Sequence, residues 1–302
     1  MPHSRSRSPG APSDPQRPSG TRLPRVWAPW VWPVALLIVA FMAGRSPAET
    51  DDVTPSDTVE TDIISSVTRP VSGTHEVSPA PTNPVRAGES LRFSVQYGVI
   101  HAGSAYLEVP EVKDWNGRQV YDLVARAESN SFFSHIYKVR NRIESFWDKE
   151  GLFSWRYAEN RREGHFKAQS EILFDYGLHE AHYSDGRSFP VPQQVQDALS
   201  SFYYTRFQAL PIGGSIVFEY HASRKSQPLE VRVLGRERVK VPAGTFDCIV
   251  IEPVLKAGGI FKNKGRLVIW MTDDQRRIPV LMKSKVLIGS ISVVLQEVKQ
   301  GA

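Results

Sequence analysis

From Gly88 almost to the C-terminus the chain alternates. In LRFSVQY, Leu91, Phe93, Val95 and Tyr97 fall on one side and Arg92, Ser94 and Gln96 on the other. A period of two marks a strand with one face buried; a helix repeats every 3.6 residues and would scatter these side chains around its axis. The pattern returns in SAYLEV, QVYDLVARA, RIESFW, LFSWRYAE, HFKAQSEILF, LHEAHY, SIVFEYHA, LEVRVLG, RERVKV, FDCIVIE, GRLVIWM, VLMKSKVLI and SISVVLQEV. Turn residues separate many of these runs: Trp115-Asn116-Gly117, Asp175-Tyr176-Gly177, Asp185-Gly186, Gly213-Gly214 and Thr272-Asp273-Asp274. Strands so closely spaced join as antiparallel hairpins. The expected fold is mostly β: an antiparallel open barrel or sandwich-like curved sheet with one or two short helices, preceded by a membrane segment and a disordered tether.

Two stretches break the alternation. SFFSHIYKV, around Ser131 to Val139, reads as a short helix. In VQDALSSFYYTRFQAL, Val195, Leu199, Phe202, Arg206 and Leu210 recur at helical spacing after Pro190 and Pro192. Arg206 falls on the apolar stripe of that helix. A buried guanidinium requires partners, so it is expected either to pair with a carboxylate inside the fold or to hold an acidic ligand headgroup.

The first 86 residues have a different texture. Residues 1–25 hold Arg5, Arg7, Arg17, Arg22 and Arg25 against Asp14 and read as a disordered basic leader. VWAPWVWPVALLIVAFMAG follows at 26–44, and as a helix it would span roughly 28 Å, about one bilayer core. Its inner run, Val34 to Ala43, also has the length of a signal-peptide core, with Ser46-Pro47-Ala48 as a small-x-small site and Arg45 against cleavage. A retained membrane anchor and a cleaved signal are both open. Either leaves the positive flank inside and the remainder outside the cytoplasm. Residues 45–86, rich in Pro, Ser, Thr and acidic residues, read as a flexible linker, and residues 87–300 as the β-rich exported domain.

The net charge of +5 is a mild surplus that suits an anionic surface, and neither zinc-finger spacing nor a recognition helix is present, so nucleic acid is not an expected partner. The single cysteine, Cys248, cannot make an internal disulfide. It stands in VPAGTFDC, where Pro242-Ala243-Gly244 supplies a turn and the next strand places Phe246, Cys248 and Val250 on one face. With no basic neighbour in sequence it reads as a small hydrophobe pointing inward, rather than as a nucleophile.

His179-Glu180-Ala181-His182 has its histidines three apart in a strand-like run, where they point to opposite faces; a zinc-protease motif needs four on a helix. Glu144, Glu163 and Glu171 read as strand surface, with convergence in a pocket as the alternative, and Thr272 to Arg277 as a charged turn too irregular for calcium. No catalytic residues, metal ligands or cofactors are expected. In LKAGGIFKNKGRL, Gly258-Gly259 opens a loop with Ile260 and Phe261 at its tip among Lys256, Lys262, Lys264 and Arg266. Such a tip can enter an anionic bilayer, or it can fold back into the core with the lysines as a solvated rim. The ligand- or membrane-contact candidates are therefore Ile260, Phe261, Lys262, Lys264 and Arg206.

Four ordered blocks carry a family resemblance: GESLRFSVQYGVIHAGSAYL, DALSSFYYTR, VPAGTFDC and GIFKNKGRLVIWMTDDQRRIPVLMKSKVLIGSI. Over about Arg86 to Val298 the chain resembles the bacterial exported proteins of domain-of-unknown-function family 3108. The resemblance implies an envelope-located β-rich domain without an established activity, a periplasmic domain of a bacterial cell envelope either anchored in the inner membrane or released after signal cleavage. Its layout is similar to the curved half-barrels of lipoprotein-localisation factors, which hold acyl chains against a helix. The expected function is non-catalytic: an acyl chain or other apolar ligand bound on the curved sheet, among aromatics such as Phe146, Trp147, Phe153, Trp155, Phe166 and Trp270. The alternative is an interaction component of an envelope assembly with no lipid ligand; a hydrolase assembled from distant residues ranks third. Expected partners are the membrane, through residues 26–44, and a lipid or envelope protein.

Overall fold

The computed structural model describes residues 76–255, 266–285 and 289–301. The basic leader, the 26–44 segment and the linker as far as residue 75 lie outside the described residues. Among those described, no helix is long and apolar enough to cross a membrane.

The alternating runs become one antiparallel sheet of 15 strands. One arm begins with β2 (Glu89–Tyr97) and β3 (Ile100–Val109) and continues through β5 (Arg118–Ser129), β6 (Val139–Asp148), β7 (Ser154–Glu163) and β8 (Phe166–Asp175) to the short β9 (Glu180–Tyr183) and β10 (Ser188–Pro190). A small strand, β4 (Val112–Trp115), pairs off this path with β5. The other arm runs from β12 (Ser215–Ala222) through β13 (Lys225–Val241), β14 (Gly244–Leu255), β15 (Leu267–Thr272) and β16 (Pro279–Lys285) to β17 (Ser290–Lys299). The two arms join where β17 pairs with β2, Val293 opposite Val95 and Val298 opposite Leu91. β1 (Val77–Ser78) and β11 (Leu210–Pro211) form a separate two-stranded ribbon.

Alternation decides what faces inward. Leu91, Phe93, Leu107, Leu123, Ile143, Trp147 and Tyr157 are buried on the concave face, each contributing roughly 1.5–3 kcal/mol by leaving water. Register shifts at Phe146/Trp147, Val233/Gly235 and Leu295/Glu297 insert bulges, which bend and twist a sheet. The end strands β10 and β12 do not pair. Instead the segment Val195–Asp197 lies between the arms: Ser154 N–H donates to Val195 O, Gln196 N–H to Glu219 O, and His221 N–H to Gln196 O. The Tyr183 hydroxyl of β9 and Nε2 of His221 on β12 stand 2.9 Å apart across the same seam. The result is the open-barrel alternative.

Two helices appear among the described residues, α1 (Ser131–Ile136) and α2 (Ser200–Arg206). The helical spacing from Val195 to Leu210 overstates α2. Val195 and Gln196 spend backbone groups on the seam, and the Asp197 carboxylate takes the N–H groups of Leu199 and Ser200 at 2.7 and 2.8 Å. Leu210 is already in the β1–β11 ribbon.

The flexible linker was expected to reach residue 86, but residues 76–86 lie on the domain. Val85 is in the core and Ser78 is buried. Arg277 donates from Nη2 to the carbonyls of Ser78 and Pro79, and Arg206 donates to that of Pro84. A proline has no N–H but keeps a carbonyl acceptor, so a proline-rich strand is well suited to two buried guanidinium groups.

Candidate functional site

The concave face has two unlike ends. At the first, α2 fills the space. Tyr203 is fully buried, and Phe207 meets Trp147 edge-on at 5.4 Å. The buried Asp197 carboxylate also accepts from the hydroxyls of Ser145 and Ser154, at 2.5 and 2.7 Å. Burial pushes its pKa up, against the pull of these hydrogen bonds. This end is solid.

The opposite end gathers alternate connections of the meander: the β2–β3 turn, the β5–β6 link with α1, and the β7–β8 turn. Asn130 ties the first two together. Its N–H donates to Ala102 O, its amide donates to His101 O at 2.7 Å, and its Oδ1 accepts from Phe133 N–H to cap α1. Gly164 N–H donates to Lys138 O, joining the third. Gly164 has φ +58°, and a Cβ there would stand 2.7 Å from the Tyr137 ring, so any other residue would have to displace that ring and hold a left-handed backbone.

The concave wall leading to this end is built of small residues. Ala105, Ala125 and Ala127, with Phe93, Met282 and Val293, line an apolar cavity of about 20 Å³. One water needs roughly 10–15 Å³ by this kind of measure, so the cavity is far short of an acyl chain. Beside it is a buried polar cluster. Arg161 donates from Nε and Nη2 to the Glu163 carboxylate, both at 3.1 Å, and the Asn141 amide donates to Glu163 Oε1 at 2.8 Å. The pair is out of water and hydrogen-bonded, as a buried ion pair must be. The Arg161 guanidinium also lies 5.3 Å from the Phe166 ring.

Among the described residues the rim is apolar and uncovered. Val99 is 98% exposed, Phe132 67%, Ile136 60%, Ile100 53% and Phe166 46%, on three adjacent connections. Phe132 and Ile136 are four residues apart on α1 and so share a face, and no residue of that helix is buried. A helix with nothing buried draws no stability from the core.

Just below the rim, the outer face carries a row of three cations with one acid at its end. Glu128, Arg140, Arg162 and Lys167 are successive cross-strand partners on β5, β6, β7 and β8. Like charges set opposite one another destabilise a sheet. Further from the rim the same strands pair their charges: Arg156 donates to both Glu144 and Glu171. Arg140, Arg162 and Lys167 make no ion pair among the described residues.

The residues singled out by sequence fare unevenly. Ile260, Phe261, Lys262 and Lys264 lie outside the described residues. Arg206 is wholly buried at the α2 end, bound to Glu89 and to the carbonyls of Pro84 and Arg276. No headgroup can reach it, so the contact assignment gives way to the internal pair. Cys248 is fully buried and alternates with Ile249 and Ile251. Those two continue the concave register of Ile269, Met282 and Val293, so the thiol sits on the outer face of the sheet, opposite to the inward direction expected. Burial and then the carboxylates of Asp247, Asp274, Glu237 and Asp273 push its pKa up to about 12. A thiol so placed stays protonated and unreactive.

His179 is a turn residue with φ 55°, while His182 contacts Ser188 Oγ, and the two do not converge. Among the described residues no three His, Cys, Asp or Glu side chains gather as a ligand set. Of the aromatics expected on the concave face, Trp147 is there. Phe146 is on the outer face with Trp115 and Arg156, Trp270 is hydrogen-bonded to Glu237 there, and Phe166 is at the rim. The rim as a unit escaped sequence reasoning. Its one signal is the apolar residue inside a turn, in GVIHAG, SFFSHI and GHFK.

The family model described as "Protein of unknown function (DUF3108)" matches residues 92–296. No curated protein matches the chain. Among solved structures, the β-barrel-like protein of domain of unknown function DUF1849 from Brucella abortus is similar with a TM-score of 0.47 and 7% identity, over 71% of this chain and 99% of that one. One from Parabacteroides distasonis gives a TM-score of 0.33 and 11% identity, over 73% and 99%. Another, of YmcC-like fold from Bacteroides fragilis, gives 0.27 and 14%, over 73% and 100%. Likenesses this loose assign no role.

Proposed function

The chain belongs to the DUF3108 family of proteins of unknown function, and from that premise we propose that its folded domain is a non-catalytic binding module of the bacterial cell envelope, working at the open end of the sheet. Its ligand is an acyl chain or another apolar segment, gripped across the rim and against the small-residue wall. The observation that carries this reading is the concentration of exposed Val99, Ile100, Phe132, Ile136 and Phe166 on three adjacent connections. Soluble surfaces rarely gather uncovered apolar side chains without a partner for them. The basic leader and the apolar 26–44 run support an envelope location outside the cytoplasm.

The narrow cavity favours the second reading, an interaction component that stores no lipid. The two separate by experiment. Native mass spectrometry of the chain after mild extraction should reveal a co-purifying apolar ligand, and an environment-sensitive dye should bind and be displaced by fatty acid. Ligand-free protein that takes up no dye would leave only the interaction reading.

A further inference from the structure

The apolar rim and the cation row lie side by side, and together they select a partner. Lys138, Arg140, Arg162, Lys167 and Lys285 are exposed around this end, while Glu128, opposite Arg140, is exposed with them and Glu163 is buried in its own pair. Elsewhere on the same strands the sheet pairs its cations with carboxylates. The unpaired row is thus a local exception that an anionic partner would relieve.

The apolar part consists of turn tips and an unburied helical turn rather than a groove, and protruding tips need no partner of matching shape. We infer that this end of the sheet docks on an anionic bilayer surface, with Val99, Ile100, Phe132, Ile136 and Phe166 entering the acyl boundary and the five cations meeting headgroups. Interfacial binding strengthens with buried apolar area and with each basic residue near an anionic surface. The inference names a partner for the end of the sheet chosen in the functional reading. It rests on that choice of end and requires no stored ligand.

The test uses the full chain reconstituted into phosphatidylcholine vesicles with and without phosphatidylglycerol. Phe132→Cys is labelled with a polarity-sensitive fluorophore, the buried Cys248 remaining unlabelled. Glu150→Cys, in the β6–β7 turn at the opposite end, is the control. The label at position 132 should shift to the blue and be quenched by brominated lipid on anionic vesicles, and salt should reverse this. The label at 150 should do neither. Adding Arg162→Glu and Lys167→Glu should reduce quenching by more than about fivefold, since each charge near such a surface is worth about that factor. Ile136→Ser should weaken it independently.

Equal quenching on neutral and anionic vesicles, or at both label positions, would overturn the proposal. So would a blue shift without lipid that grows with protein concentration, which would assign the rim to a second copy of the chain. Insertion by a protein that never co-purifies with an apolar ligand would sink the ligand-holding reading and leave docking intact.

Discussion

Arg206 and Glu89, 117 residues apart, form a two-pronged ion pair beyond the reach of water, with Nη1 to Oε1 at 2.7 Å and Nη2 to Oε2 at 2.8 Å. The guanidinium also holds the carbonyls of Pro84 and Arg276. One side chain thus ties α2 to the start of β2, to the segment before it and to the β15–β16 turn.

Removing one partner strands the other. Glu89→Ala and Arg206→Ala should each lower unfolding free energy by about 3–5 kcal/mol, and the double variant by clearly less than the sum. Urea denaturation of the four proteins in the cycle measures it. Additive losses would mean that the pair is not a unit.

Cys248 should resist alkylation in the native state at neutral to mildly alkaline pH. Burial and nearby carboxylates hold its pKa at about 12, leaving little thiolate. Modification should therefore track unfolding when measured by mass spectrometry across a urea series. Fast labelling without denaturant would reopen the nucleophile reading.

His221 stands at the seam, edge-on to Phe174 and within reach of Tyr183 and Ser226. Burial lowers its pKa from 6.5 to about 4. Between those values the unfolded chain binds the proton and the folded one does not. The stabilisation is complete above pH 6.5 and is lost as pH falls towards 4, to the extent of roughly 3 kcal/mol. His221→Gln should flatten this slope of urea stability against pH; an unchanged slope would place its origin in other groups.

Phe132 and Ile136 should be replaceable by serine with changes in stability within about 0.5 kcal/mol, because α1 buries no residue. Thermal melts of the two variants check this. A large loss would show that the rim supports the fold, and its exposure would then need no partner.

Local chemistry made the strands legible. LRFSVQY, QVYDLVARA and FDCIVIE each alternate over a few residues, and Gly98, Gly117 and Gly186 adopt positive φ at turns between strands. A short-range pattern of this kind needs no knowledge of what lies across the sheet. It predicted that Cys248 would be buried but could not say on which face, because alternation defines two faces without naming the concave one. The spacing of Val195 to Leu210 likewise predicted a longer helix than α2, because the backbone of residues 195 and 196 had prior partners in two other strands.

What the amino-acid order alone determined is the β class, the antiparallel connections, the burial of the lone thiol and the family to which the chain belongs. The tertiary structure decided the rest. It brought β17 against β2, laid residues 76–86 on the domain, closed Arg206 on Glu89, and assembled the rim from three turns that are unremarkable one by one. The reason is distance along the chain. A strand's own pattern is written within neighbouring residues, whereas charge partners, curvature and the meeting of alternate turns depend on register across many strands.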